Sequence, residues 1–126
     1  MTVWLSRKLI LAIHDEQLRE HGGGTGLRDS GLLDSALARP LNHAGYGDPD
    51  IAELAALYAL GITRNHPFVD GNKRTGFAAL FTFLALNGMA FEPTDVDAAT
   101  TMLRLAAGEL DDPTFIAWVR QHAMPG

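Results

Sequence analysis

The stretch His66-Pro67-Phe68-Val69-Asp70-Gly71-Asn72-Lys73-Arg74 sets a histidine, a carboxylate, an amide and two cations within nine residues. The longest run without charge, Thr75 to Phe91, follows at once. A helix opening at about Asn72 or Lys73 and ending at Asn87, with Gly88 closing it, would carry that run. Its first turn leaves backbone N–H groups without partners at the positive end of the helix dipole. Lys73 and Arg74 in that turn cost roughly 0.3–1 kcal/mol each unless an anion binds there, which reverses the sign. Gly71 permits close backbone approach, Asn72 braces the turn or caps the helix, and the two cations add charge. Together these make a phosphate cradle. Asp70 would repel phosphate unless a divalent cation lay between them. Mg²⁺ commonly takes one or two carboxylates together with phosphate oxygens, so Asp70 points to a Mg–nucleotide site. His66 supplies a base near neutral pH for a hydroxyl nucleophile. Arg64 is a third cation close enough in sequence to join the cradle. The chemistry that this set fits is phosphoryl or nucleotidyl transfer, in which positioning and charge stabilisation supply most of the catalysis.

Such a loop needs rigid elements on both sides. Phe68 is expected to turn into the core and pin the loop, fixing where His66 and Asp70 project. Ser6 can cap a first helix carrying Leu9, Ile10, Ile13 and Leu18, ending at Gly22-Gly23-Gly24. Asp29 or Ser30 starts a short second helix, stopped before Pro40. The residues Asn42 to Asp50 are rich in turn formers and predict a loop or small flap. Asp50 caps a third helix through Asn65, which Pro67 helps to end. The fourth helix is apolar on nearly every side, so it is expected to be the central buried one. Thr94 or Asp95 caps a fifth, ending near Gly108, and Asp112 with Pro113 opens a sixth. Strand signals are weak. The expectation is an all-α, compact bundle of about six helices in a single domain, residues 1–126.

Bulk properties narrow the function classes. Apolar residues make up 47% of the chain and charged residues 20%, ordinary for a soluble globular protein. The net charge of −5 argues against direct nucleic-acid binding through phosphate contacts, so any anion site must be a local island of cations. The N-terminus has no signal-peptide pattern, and the apolar run falls short of a membrane span. With no cysteine, disulfides and Cys-based zinc sites or nucleophiles are excluded, which suits a reducing cytoplasm. His14, His21, His43 and His122 have no metal-site spacing. His14 reads equally as a helix-packing residue or as one with another role, and His43 and Tyr46 as ordinary loop residues or as substrate contacts from the flap.

The motif resembles the signature of the Fic/Doc family, H-x-F-x-(D/E)-G-N-G-R-x-x-R, at His66, Phe68, Asp70, Gly71, Asn72 and Arg74. Lys73 replaces the second glycine and Phe77 the second arginine. Both departures resemble the death-on-curing (Doc) branch, with its H-x-F-x-D-(G/A)-N-K-R signature. Chain length, Ile13-His14 in the first helix, the Gly-rich turn and Leu86-Asn87-Gly88 extend the likeness over nearly the whole chain. The resemblance implies a toxin of a type II toxin–antitoxin module that transfers the terminal phosphate of ATP, with Mg²⁺, to a threonine of elongation factor Tu in the bacterial cytoplasm. It implies His66 as base, Asp70 as metal ligand, and Gly71, Asn72, Lys73, Arg74 and Arg64 around the phosphates. It also implies a Phd-type antitoxin that inhibits with a helix, and no self-inhibitory (S/T)-x-x-x-E-(G/N) stretch is present. The alternatives are Fic-type transfer of AMP to a protein hydroxyl, which Phe77 disfavours, and a catalytically silent nucleotide- or protein-binding module.

Overall fold

Five of the six helices in the computed structural model, which describes residues 1–126, begin at a side chain that accepts a hydrogen bond from the first turn. Ser6 caps α1 (Arg7–His21), Asp29 caps α2 (Ser30–Tyr46) and Asp50 caps α3 (Ile51–Asn65). Thr94 caps α5 (Asp95–Ala106) and Asp111 caps α6 (Asp112–His122). Each such cap is worth about 1 kcal/mol against alanine. The exception is α4 (Asn72–Leu86), which starts at Gly71 with no side-chain cap. The cap of α6 falls one residue before the expected Asp112, and Pro113 sits inside its first turn, where its missing N–H costs nothing.

Three expectations need correction. Pro40 does not stop α2, which continues to Tyr46, so the supposed flap shrinks to Gly47–Asp50. Pro40 removes the bond that the Ala36 carbonyl would have accepted. Packing overrides that loss: Pro40 is buried, and α2 lies so close to α3 that a Cβ on Gly61 would be 3.1 Å from the Ala36 Cα. Second, the central helix is α3, buried from Leu54 through Thr63, whereas α4 leaves Phe81, Ala85 and Leu86 exposed along one face. Third, there is a small sheet. β1 (Met89–Phe91) pairs antiparallel with β2 (Ala123–Pro125), Met89 opposite Pro125 and Phe91 opposite Ala123.

The core is one cluster of buried side chains running from Leu5 to Val119 and centred on α3 and α4. Tyr58 and Phe83 meet across these two helices at 5.1 Å between ring centres. Gly76 lets α4 lie tightly on α3, since a Cβ there would be 2.6 Å from the Thr63 hydroxyl oxygen. The two helices are therefore fixed against each other at the ends joined by the His66–Gly71 loop. No helix is long and apolar enough to cross a membrane.

Charge ties α6 to this frame. Arg120 donates to Asp50 at the start of α3, while Asp112 accepts from Arg64 of α3 and Arg39 of α2. The Arg120 hydrogen bond holds the Asp50 carboxyl below its ordinary range. Burial pushes the Asp112 carboxyl upward, but the bonds from Arg64 and Arg39 prevail and hold it low. A depressed folded-state value stabilises the fold above the unfolded value of about 3.9 and loses that contribution as pH falls through the folded value. Thermal melts are therefore expected to drop below about pH 4, with a smaller acid-dependent drop in Asp112→Asn. An equal acid response in that variant would rule out this linkage.

Candidate active site

The loop between α3 and α4 is shaped by a residue in a costly conformation. His66 closes α3 at φ 54°, ψ 52°, the one non-glycine residue with positive φ. Left-handed backbone at a side-chain-bearing residue costs of order 1–3 kcal/mol, and it persists only where the surroundings over-determine it. Here they do. Phe68 is buried and its ring stacks on His14 at 3.7 Å. The backbone of residues 26–29 pairs with the loop: the Arg28 and Asp29 N–H groups donate to the Pro67 carbonyl, and the Val69 N–H donates to the Gly26 carbonyl.

Asn72 ties the loop from inside. Its Oδ1 accepts from the Phe68 N–H at 2.9 Å, and its Nδ2 donates to the Phe68 carbonyl at 3.0 Å. The remaining amide hydrogen faces His66 Nδ1 at 3.1 Å. Asn72 is buried, and both of its amide hydrogens are engaged. Its side chain thus neither caps α4 nor remains free for phosphate, contrary to one expectation from the sequence; what it leaves open is its backbone N–H. The Phe68 backbone fixes the orientation of this amide, so Nδ1 of His66 accepts, and the neutral ring carries its proton on Nε2. Nitrogen-15 spectra of the free protein are expected to show an unprotonated Nδ1 and a protonated Nε2 at His66. A base that works through Nε2 requires the tautomer to exchange when nucleotide and target bind, and the same spectrum of that complex reads it. A protonated Nδ1 in the free protein would contradict the assignment.

Asp70 is exposed but held. Its Oδ1 accepts from the Gly71 N–H at 2.8 Å and its Oδ2 from the Gly24 N–H at 3.3 Å. These bonds, Gly71 first, keep the carboxyl below the ordinary aspartate value, and it stays anionic at neutral pH. The Gly-rich turn must come close for this. Gly23 sits at φ 126°, and a Cβ there would lie 2.7 Å from Asp70 Oδ2. The Asp70 carbonyl is bound in turn by Nε2 of the buried His14 at 2.8 Å, which makes that ring nitrogen the donor. Two distant side chains therefore shape the loop: His14, to which the sequence assigns no role at the site, and Arg28, which it does not single out. Their partners are backbone carbonyls far away in the chain, 56 residues off for His14.

His66, Asp70, Gly71, Asn72, Lys73 and Arg74 together line one cavity of about 350 Å³, with no apolar residue in its wall. The first backbone bond of α4 runs from the Thr75 N–H to the Gly71 carbonyl. The N–H groups of Asn72, Lys73 and Arg74 are the three that a helix start leaves open. Arg64 does not join them. Its guanidinium is taken by Asp112 and the Leu110 carbonyl, so the expectation that it binds phosphate is withdrawn in favour of a structural ion pair. Arg74 leans on the Gly22 carbonyl at 3.4 Å, a weak hold that leaves its charge available. Asp70 is the one carboxylate in the cavity, and no cluster of three potential metal ligands exists in the chain. A hard divalent cation fits this donor set only when phosphate oxygens and water complete its shell. Beyond Lys73 and Arg74, a second cavity of about 560 Å³ runs between α1, α4 and α5, with Phe77, Ala78, Phe81, Met102 and Leu103 in its wall.

A family model described as the Fic/DOC family matches residues 4–84. The protein named Toxin Doc from Mycolicibacterium smegmatis is 40% identical over 111 residues, covering 85% of this chain and 82% of that one. The protein named Protein kinase doc from Escherichia phage P1 is 31% identical over 86 residues, 68% of each chain.

Proposed function

We propose that this chain, which belongs to the Fic/DOC family, is the toxin of a toxin–antitoxin module and acts as a phosphotransferase, a single domain over residues 1–126. The observation that carries this reading is the uncapped start of α4. In five helices a side chain takes one N–H of the first turn; the sixth has no such cap and offers three N–H groups to a cavity that also holds two cations, a carboxylate and an imidazole. That arrangement suits the phosphates of ATP. The Asn72, Lys73 and Arg74 N–H groups and the Lys73 and Arg74 side chains would bind phosphate oxygens. Asp70 would hold Mg²⁺, which when bound neutralises phosphate charge. A threonine hydroxyl of a translation factor, elongation factor Tu by family resemblance, attacks the terminal phosphorus. The bond to ADP breaks, and His66 takes the hydroxyl proton at Nε2 once its own proton is on Nδ1. The place of action would be the bacterial cytoplasm.

The open apolar cavity beside Lys73 and Arg74 supports the partner part of the proposal. The apolar wall of Phe77, Ala78, Phe81, Met102 and Leu103 would receive the apolar face of a partner helix, and Lys73 and Arg74 at its edge would receive an acidic residue. This is the role expected of a Phd-type antitoxin. ATP labelled at the terminal phosphate should transfer its label to elongation factor Tu, and ATP labelled at the first phosphate should not. Label arriving only from the first phosphate would replace this reading with AMP transfer. Growth arrest on expression, relieved by the co-expressed partner, tests the toxin assignment; harmless expression of the free chain would remove it.

A further inference from the structure

We infer that Arg28 is a positioning residue for His66, gripping the backbone on which the imidazole is mounted. The inference rests on the proposed proton-handling role of His66. Arg28 engages three consecutive carbonyls across the end of α3. Its Nη2 donates to Asn65 O at 2.9 Å, its Nε donates to His66 O at 2.7 Å, and its backbone N–H donates to Pro67 O at 2.7 Å. The first two are orphan carbonyls of the last helical turn, where a cation is also favoured by the helix dipole. A rigid guanidinium fork spans two adjacent carbonyls, whereas an ammonium is a point donor. Arg28 lines neither the phosphate cavity nor the apolar cavity, so its side chain reaches the site only through the backbone of Asn65 and His66.

What the fork holds is the least favourable backbone in the chain, the left-handed His66 ahead of a proline. Proline disfavours helical geometry in the residue before it, and a bare C-terminus of α3 would let that residue relax toward extended backbone. Relaxation there swings the imidazole away from the cavity while leaving the Asn72–Arg74 end of the loop seated on α4. The phosphate-binding half of the site thus sits on α4, while the proton-handling half is held at its backbone by Arg28 and at its ring by the Asn72 amide.

The test compares wild type, Arg28→Ala, Arg28→Lys and His66→Ala in transfer to elongation factor Tu, alongside hydrogen exchange of the loop amides. Arg28→Ala is expected to lower kcat at least about tenfold, as misplacement of a reacting group does, with KM for ATP within about twofold. Arg28→Lys should recover part of the loss. Exchange at Val69 should accelerate while the amides of α3 between Leu54 and Ile62 stay as in wild type. Wild-type kcat in Arg28→Ala overturns the inference. So does a KM that rises as far as kcat falls, or exchange that accelerates throughout the chain, since either marks a merely structural role. If wild type and His66→Ala transfer nothing alike, the functional reading fails; the exchange data then still decide whether Arg28 holds the loop.

Discussion

His66→Ala is expected to lose phosphate transfer by about 10²–10⁴-fold, the range that a positioned acid–base group supplies. The fold should survive the change. The His66 side chain is exposed, and its one hydrogen bond within the chain is the contact from the Asn72 amide. The backbone bonds that shape the loop belong to the peptide groups of Asn65, His66 and Pro67 and remain in the variant. Circular dichroism and the melting temperature should therefore stay close to wild type while transfer disappears. In cells, wild type should arrest growth and the variant should not. Equal arrest by both would mean that the toxicity does not run through His66.

Asn72→Ala should fail in both respects, stability and activity. The Asn72 amide satisfies the N–H and the carbonyl of Phe68, a residue buried in the core. Deleting it strands a buried donor and a buried acceptor, each at about 1–3 kcal/mol. In a domain of this size that lowers the melting temperature by roughly 8–23 °C. Transfer should fall further than the stability loss explains, because the loop that carries His66 and Asp70 loses its internal brace at Phe68. Asn72→Asp separates the two effects. Its carboxylate can still accept from the Phe68 N–H, restoring part of the stability, yet it places a negative charge beside the phosphates. A melting temperature unchanged in Asn72→Ala would contradict the bracing role assigned here.

These two residues also show what was legible in the sequence. The helix starts at Ser6, Asp29, Asp50 and Thr94 could be read because a cap is a local device, a side chain bonding an N–H three residues on. The continuation of α2 past Pro40 could not, since it depends on how closely α2 lies on Gly61 of α3. Nor could composition distinguish a buried face of α4 from one lining an open cavity; Phe77 and Phe81 look like core residues in both cases. The strands are three residues each and pair positions near 90 with positions near 124, too short for alternation to show.

Within the site His66, Asp70, Gly71, Lys73 and Arg74 line one cavity because they are neighbours in sequence on one turn. Arg64 looked equivalent by proximity, but it lies on α3 and pairs with Asp112. The loop-holding role of His14 and the whole part of Arg28 were not legible for the opposite reason. They act on backbone carbonyls, which carry no sequence signal, across 56 residues for His14 and 38 for Arg28 to His66. What holds the loop is thus mostly distant, and what it presents is mostly local.

Transfer of one phosphate from Mg-ATP to a protein hydroxyl at the α4 cradle, with His66 handling the proton, is open to a decisive measurement: intact-mass spectrometry of elongation factor Tu after incubation with the purified chain, Mg²⁺ and ATP. The expected result is a gain of one phosphate group, absent with His66→Ala. A gain of one AMP, or no difference between wild type and His66→Ala, would contradict it.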